Sequence, residues 1–267
     1  MGDHSTKHRQ DLVTVEHTGD VAVVMMNEPE LHNPFSLAMR TALKNAFHHL
    51  HHEDEQSRAI VLTGAGGHFC SGEDLAEMTD SPAMLPYRNR MEIACGLVRL
   101  ITGGNKPVVA AVEGSCIGAG LSLACAADSV VGASGSNYAC AFVKLGLLPD
   151  TGLLWTLAQR TGHGRARELM LSGRSFDAET ALEMGVLNHL VATGEALPAA
   201  IEKACAFSAV PPVSLALLKS ALVNGMNSME DAWRQELDLN PLVRQTDDHH
   251  EAVEAFMEKR KAAFTGN

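Results

Sequence analysis

Twice in this chain a short apolar run ends in a glycine-rich turn and is followed by a helix-like segment. The first run is Ala59–Thr63, which leads into the turn 64–75, and the second is Pro107–Val112, which leads into 113–120. A strand, a turn and a helix in this order predict an α/β fold. The backbone N–H groups at the start of a helix are unpaired and favour negative charge, and small residues let a ligand approach them. The repeated pattern therefore favours an anion or oxyanion site, with two tight packing turns as the alternative. Neither turn carries a complete dinucleotide fingerprint or a Walker sequence.

The remaining periodicity predicts alternating strands and helices, followed by helices alone. A flexible tail is expected over 1–10, an α/β core over 11–195 and a helical oligomerisation region over 196–267. The predicted strands are 12–17 and 21–26 (a hairpin), 59–63, 107–112, 129–131, 138–143 and 186–191, and the predicted helices are 36–52 (capped by Ser36), 85–102, one through Ala127, 152–172, 178–184 and those after 195.

Composition excludes several classes of function. The formal net charge of −11 and an aromatic content of 4% argue against a nucleic-acid partner, which needs a basic surface or base-stacking rings. The N-terminus lacks an apolar signal region, and no run approaches the roughly 20 apolar residues of a membrane span. The six cysteines form no C-x-x-C pair and lie in or near apolar runs, so we expect reduced, buried thiols. A cytoplasmic protein without a membrane partner is expected.

Asp150 lies in a third glycine- and proline-marked turn, 144–152, between a strand-like and a helix-like run. An aspartate at this place can cap the helix that follows. The neighbouring Leu147, Leu148 and Trp155 would also desolvate the carboxyl group, raise its pKa and suit it to act as a base. Both interpretations stay open on these grounds.

Other candidates for chemistry are weaker. The chain has no G-x-S-x-G elbow, and nothing in the sequence supplies a base for Cys70 or Ser71. Four histidines at 48, 49, 51 and 52 have no zinc-ligand spacing, so a solvated helix face is expected and no metal site. Methionine fills irregular space, so an acyl pocket is one expectation for Met78, Met84, Leu85 and Met91, and ordinary core packing is the other.

The chain resembles the crotonase superfamily, or enoyl-CoA hydratase/isomerase family, from Val13 to Phe264. Three motifs carry the resemblance: Leu62-Thr63-Gly64 with 69–75 (FCSGEDL), Val112-Glu113-Gly114 with Gly118-Ala119-Gly120, and 146–152 (GLLPDTG). The resemblance implies a spiral of ββα units with a helical C-terminal trimerisation region, and a homotrimer or dimer of trimers. It also implies an acyl-CoA substrate and no further cofactor, because coenzyme A is part of the substrate.

Site residues follow from the same resemblance. The thioester oxygen would be held by the backbone N–H groups of Glu73 and Ala119. The segment 30–33 and the loop 69–75 would contact coenzyme A, and the last helix would reach a neighbouring subunit's ligand. The residues implied in substrate binding are Glu30, Leu31, His32, Phe69, Ser71, Gly72, Asp74, Leu75, Gly118, Phe142, Phe256, Lys259 and Lys261.

The departures from the family pattern favour one reaction. Hydratases of the family use two glutamates, and this chain has Ser122 and Phe142 at those positions. Asp150 falls where some isomerases of the family carry a catalytic aspartate, and residues 145–155 are most similar to the isomerases of phenylacetate breakdown. The resemblance thus implies an enoyl-CoA isomerase that uses Asp150. A hydratase and a non-catalytic acyl-CoA-binding protein are the alternatives.

Overall fold

A computed structural model describes residues 12–78, 83–226 and 228–267. The tail predicted over 1–10 lies outside these residues. The strands are β1 Val13–Thr18, β2 Val21–Met26, β3 Ala59–Gly64, β4 Val108–Val112, β5 Ser115–Ile117, β6 Ser129–Ala133, β7 Asn137–Ala139, β8 Ser175–Asp177 and β9 His189–Val191. The helices are α1 Leu37–His52, α2 Leu75–Met78, α3 Met84–Gly103, α4 Ala119–Ala126, α5 Leu153–Thr161, α6 His163–Ser172, α7 Ala178–Met184, α8 Ala196–Ser208, α9 Pro212–Asn224, α10 Met229–Val243 and α11 Asp247–Glu258.

A six-stranded sheet forms the centre of the molecule, in the order β1-β2-β3-β4-β6-β9. The hairpin β1–β2 is antiparallel and every other pair in this sheet is parallel. β4 is buried along its whole length, as expected of a parallel strand covered on both faces. One face packs against α1, α3 and α4, and the other packs against α8. Ala196, Ala200 and Ala204 recur every four residues along α8, and each is fully buried against the sheet.

A second sheet of three strands, β5-β7-β8, stands beside the first. β4 is followed by β5 after a single turn at Gly114, so one stretch of chain supplies a strand to each sheet and then forms α4. Cys70 makes an isolated parallel bridge with Cys116 of β5, so the preceding stretch repeats this course. The predicted α/β class and the helical C-terminal region, here α8 to α11, are confirmed.

Three predicted elements are wrong in extent. The strand predicted over 138–143 ends at Ala139 and gives way to a 3₁₀ helix, Ala141–Leu145. The helix predicted over 152–172 is two helices, α5 and α6, because Gly162 adopts φ 77° and ψ 154°, outside the helical region. The strand predicted over 186–191 is confined to His189–Val191.

Two predictions about burial also need correction. His51 is buried, whereas His48, His49 and His52 are exposed as predicted. The helical period puts His51 on the same face of α1 as Leu43 and Phe47, which pack into the core. Among the cysteines, four are buried, Cys95 is half-buried and Cys205 is exposed on α8.

Within the described ranges, no single helix combines the length and apolar composition needed to cross a membrane. α8 and α9 meet that criterion only as a pair, with a bend of 107° between them.

Candidate active site

The two glycine-rich turns lie against each other. Phe69 N–H donates to the Glu113 carbonyl at 2.8 Å, and Cys70 N–H donates to the Ser115 carbonyl at 2.8 Å. In the opposite direction, Ile117 N–H donates to the Cys70 carbonyl at 3.0 Å. A Cβ added at Gly120 would come within 2.6 Å of the Cys70 carbonyl oxygen, so only glycine permits this approach. The sequence therefore brings its two candidate anion-binding turns to one place.

Each turn ends by presenting a backbone N–H group. Gly72 has φ +102° and Gly118 has φ +54°, backbone angles that favour glycine, and they precede Glu73 and Ala119. Within the described part of the chain, neither the Glu73 nor the Ala119 N–H donates a hydrogen bond to another protein atom. Two unpaired donors beside each other are the arrangement that an oxyanion requires.

A cavity of about 510 Å³ opens beside these two N–H groups. Its wall is largely apolar, with apolar side chains from 31–34, 75–78, Ile117 and 141–147. It is lined by Leu31, Pro34, Ser71, Gly72, Glu73, Asp74, Leu75, Met78, Ile117, Gly118, Ala119, Ala141, Phe142, Lys144, Leu145 and Leu147. Nine of the residues predicted for substrate or oxyanion binding are in this set.

The other predicted binding residues lie elsewhere. Phe69 is fully buried in the core and does not line the cavity. Glu30 and His32 are exposed beside its edge, where the His32 ring stacks on His68 with centroids 3.8 Å apart. The residues of the C-terminal segment, Phe256, Lys259 and Lys261, are exposed to solvent and do not line this cavity within the single chain.

Of the four candidates for an acyl pocket, Met78 alone lines the cavity. Met84 and Leu85 are 85% and 70% exposed, so they are not ordinary core residues. Met91 is half-buried on α3.

Asp150 is fixed by its neighbours and does not cap a helix. α5 has Gly152 as its N-cap and no side-chain cap, so the helix-cap interpretation of Asp150 is wrong. The Thr151 hydroxyl donates to Asp150 Oδ1 at 2.9 Å, and the Ser122 hydroxyl donates to the Asp150 carbonyl oxygen at 3.1 Å. Thr151 itself has φ +51°, which is rare for a β-branched residue and typical of constrained functional loops.

The surroundings of Asp150 disfavour its ionised form. Burial raises the pKa of its carboxyl group, and the neighbouring Glu73 carboxylate raises it further. The Thr151 hydrogen bond and the Arg40 guanidinium oppose the shift without cancelling it. A carboxyl group whose pKa is raised is suited to taking up a proton and returning it.

Arg40 and Tyr87 belong to this site and were not predicted from the sequence. Arg40 is buried on α1, and its Nη2 lies 3.3 Å from Glu73 Oε1. Tyr87 lies on α3, where burial and the charges of Glu73 and Asp150 raise the pKa of its phenol. A signal for Arg40 was available, because the helical period places it on the same face of α1 as Leu43 and Phe47.

The positions of the two family glutamates hold no carboxylate. Ser122 is fully buried in α4 and Phe142 is a largely buried wall of the cavity. In the described ranges no group of three or more histidine, cysteine or acidic side chains is placed to hold a metal ion.

Comparisons with known proteins extend over nearly the whole chain. A family model described as enoyl-CoA hydratase/isomerase matches residues 16–267. The chain is 33% identical over 250 residues to the 1,2-epoxyphenylacetyl-CoA isomerase of Escherichia coli, covering 92% of this chain and 95% of the relative. It is 32% identical over 253 residues to an enoyl-CoA hydratase of Mycobacterium tuberculosis, covering 94% of this chain and 95% of the relative. The crystal structure of an enoyl-CoA hydratase from Bacillus anthracis superposes with a TM-score of 0.90 at 28% identity, covering 96% of this chain and 100% of that one.

Proposed function

The chain belongs to the enoyl-CoA hydratase/isomerase family, and we propose that its reaction is double-bond migration in an enoyl-CoA, with Asp150 as the acid/base. One observation carries this proposal. Burial and the neighbouring Glu73 carboxylate raise the pKa of the Asp150 carboxyl group, and Asp150 does not serve as a helix cap. Ser122 and Phe142 leave the usual pair of glutamates without a counterpart.

The chemistry needs one carboxyl group and two backbone donors. The Asp150 carboxylate takes a proton from C2 of a 3-enoyl-CoA, and the electron pair left at C2 forms the enolate of the thioester. The Glu73 and Ala119 N–H groups hold the enolate oxygen, where the negative charge develops. Protonated Asp150 then gives a proton to C4, which leaves the double bond between C2 and C3. Loss of one oxyanion donor would cost roughly 2.7–4 kcal/mol of transition-state stabilisation.

Within the family, we place the protein nearest to the isomerases that act on phenylacetate-derived thioesters. The Escherichia coli relative is named for such a substrate. The apolar wall around Phe142 and Leu147 would accept an acyl group of that character. Coenzyme A would follow the edge formed by Leu31 and the turn 71–75, and no separate cofactor is needed.

Hydration of a 2-enoyl-CoA is the second candidate, since relatives such as the Mycobacterium tuberculosis protein are named hydratases. Water addition would then depend on Asp150 as its single carboxyl catalyst. Binding of acyl-CoA without turnover is the third outcome that an experiment must separate.

The test supplies the purified protein with a trans-3-enoyl-CoA and a trans-2-enoyl-CoA in deuterated water. Migration of the double bond that falls by roughly 100-fold or more in Asp150→Asn supports the isomerase, because that is the contribution of a general base. Asp177→Asn is the matched control, since Asp177 is exposed and caps α7 through the Thr180 N–H.

The other outcomes discriminate between the candidates. Hydration of the 2-enoyl substrate without migration supports the hydratase. Acyl-CoA binding without any product supports the non-catalytic protein. Full migration activity in a folded Asp150→Asn variant would overturn the role proposed for Asp150.

We also propose that the chain assembles as a trimer or dimer of trimers, with Phe256, Lys259 and Lys261 reaching a neighbour's ligand. Exposed apolar side chains on the C-terminal helices support this, among them Trp233, Leu237 and Phe256. Sedimentation of the purified protein measures the assembly directly, and a monomer at micromolar concentration would contradict it.

A further inference from the structure

We propose that the Glu73 side chain, held by Arg40, is a positioning residue of the reaction: it fixes the Glu73 N–H at the cavity and sets the charge that Asp150 faces. The inference rests on the proposed function. It concerns the side chain of a residue to which the resemblance assigns a backbone role alone.

The contacts of Arg40 provide the mechanical part of the argument. Arg40 Nη2 donates to the Phe35 carbonyl at 2.8 Å and to Glu73 Oε1 at 3.3 Å, and Nε donates to the Ser36 carbonyl at 3.3 Å. Its guanidinium lies 4.9 Å from the centre of the Phe35 ring. A buried arginine with three acceptors and an aromatic contact has little freedom to move. It therefore joins the start of α1 rigidly to the Glu73 side chain.

The backbone makes a second link between the same two segments. Phe35 N–H donates to the Gly72 carbonyl at 2.7 Å. The peptide unit between Gly72 and Glu73 carries both that carbonyl and the Glu73 N–H. One bond to its carbonyl and one to the following side chain fix the direction in which this N–H points.

The charges around Asp150 provide the electrostatic part. Glu73 and Arg40 both act on Asp150, the first disfavouring and the second favouring its carboxylate. Among the described residues, Tyr87 on α3 is influenced by Glu73, Asp150, Arg40 and Arg90, so it belongs to the same group of charges. The two members of the ion pair act on the pKa of Asp150 in opposite directions, and removing either member leaves the other acting alone.

Opposite effects on the pH profile follow. In Glu73→Gln, the repulsion disappears and Arg40 stabilises the Asp150 carboxylate, so the acidic limb of kcat/KM moves to lower pH. In Arg40→Gln, the attraction disappears and Glu73 destabilises that carboxylate, so the limb moves to higher pH. The double variant returns towards the parent profile.

The size of the rate loss also separates positioning from direct catalysis. In Glu73→Gln we expect kcat to fall by roughly 3- to 30-fold with KM within about twofold, less than the roughly 100-fold or greater loss for a deleted general base. Glu92→Gln is the matched control, because Glu92 pairs with Arg88 on the exposed face of α3. Its profile should coincide with the parent profile.

A direct measurement of the Asp150 pKa does not depend on catalytic turnover. The ¹³C shift of the Asp150 carboxyl carbon is titrated by NMR in the parent and in the Glu73→Gln variant, whose side chain lies at the cavity and retains its length. A lower midpoint in the variant supports the inference even if no isomerisation is found. An unchanged midpoint, or the same direction of shift in the Glu73→Gln and Arg40→Gln variants, overturns it. Because Asp150→Asn tests the proposed function separately, the two can fail independently.

Discussion

Asp54 and Asp150 are both partly withdrawn from solvent, yet their surroundings move their pKa values in opposite directions. Burial raises the pKa of Asp54, but the hydrogen bonds outweigh it, and the pKa lies well below its usual range. Its oxygens accept bonds from the Ser57 hydroxyl, the Gln56 and Ser57 N–H groups, and Lys106 Nζ at 3.2 Å. Asp150 has the Thr151 hydroxyl and faces a second carboxylate, so its pKa is raised.

The contrast separates a carboxylate that the fold holds ionised from the carboxyl group proposed as the acid/base. Asp54 lies in the loop between α1 and β3, where each donated hydrogen bond lowers the free-energy cost of burying its ionised form. Asp150 follows Leu147, which lines the cavity, and has one side-chain donor among the described contacts, so its pKa is raised. The number of hydrogen-bond donors around each carboxyl group therefore accounts for the opposite pKa shifts of Asp54 and Asp150 better than burial does.

The largest effect on stability is expected for Asp54→Asn. Lys106 would lose its counter-charge while its side chain stays largely buried, so the free energy of unfolding should fall by roughly 2–4 kcal/mol. Urea denaturation at pH 7 measures the change. The kcat of the folded protein should stay within about twofold of the parent value. A large loss of kcat would show that the surroundings of Asp54 also affect the reaction.

Acid should weaken the same region through His51. Burial lowers its pKa from 6.5 to about 4, against the hydrogen bond with Asn105. Between pH 6.5 and 4 the unfolded chain therefore binds a proton that the folded chain does not. The free energy of unfolding should fall by about 2–3 kcal/mol as pH drops across this window. His51→Gln should flatten this dependence, and an equally steep curve in that variant would assign the acid sensitivity to other groups.

Asp150→Asn should stabilise the fold while it removes activity. Because the folded protein disfavours the ionised carboxyl group, the stability contributed by Asp150 is present at low pH and is lost as pH rises through its raised pKa. The uncharged amide should raise the free energy of unfolding at pH 7 by about 0.5–2 kcal/mol. Thermal denaturation of Asp150→Asn beside Asp54→Asn should thus give shifts of opposite sign.

Thr151→Ala is expected to have the smallest effect. Loss of the hydroxyl donor raises the pKa of Asp150 further, so the acidic limb of kcat/KM should move to higher pH. The free energy of unfolding should change by about 1 kcal/mol or less. Thr151→Ser keeps the donor and should follow the parent profile, and a limb that moves equally in both variants would show that the hydroxyl is not the cause.

Local patterns predicted the fold well, because each buried strand and each glycine-rich turn is encoded in a few consecutive residues. Gly72 and Gly118 also marked the two N–H donors in advance. Patterns of that kind did not show that Gly162 divides α5 from α6, since glycine is compatible with either a continuous or a broken helix. Whether Asp150 caps α5 depended on how the chain turns at Thr151 and Gly152.

Arg40 and His51 show why the site was predicted incompletely. Both lie on the buried face of α1, although their residue types are usually placed on the surface. Their burial is tolerated because of partners distant in sequence: Glu73 for Arg40, and Asn105 for His51. Periodicity indicated the face, but only the tertiary structure identifies the partners.

The hydrogen bond from Ser122 to the Asp150 carbonyl has a consequence for regiochemistry. Ser122 lies within one turn, ~5.4 Å along the axis, of the Ala119 N–H in the same helix. In the proposed reaction, α4 would thus set the distance between the Ala119 N–H, which would hold the thioester oxygen, and the backbone from which the Asp150 carboxyl group extends. Any carbon that Asp150 deprotonates or protonates in that reaction would then lie within a few bonds of the thioester carbonyl, so lengthening the acyl chain should change affinity while the bond that migrates stays the same.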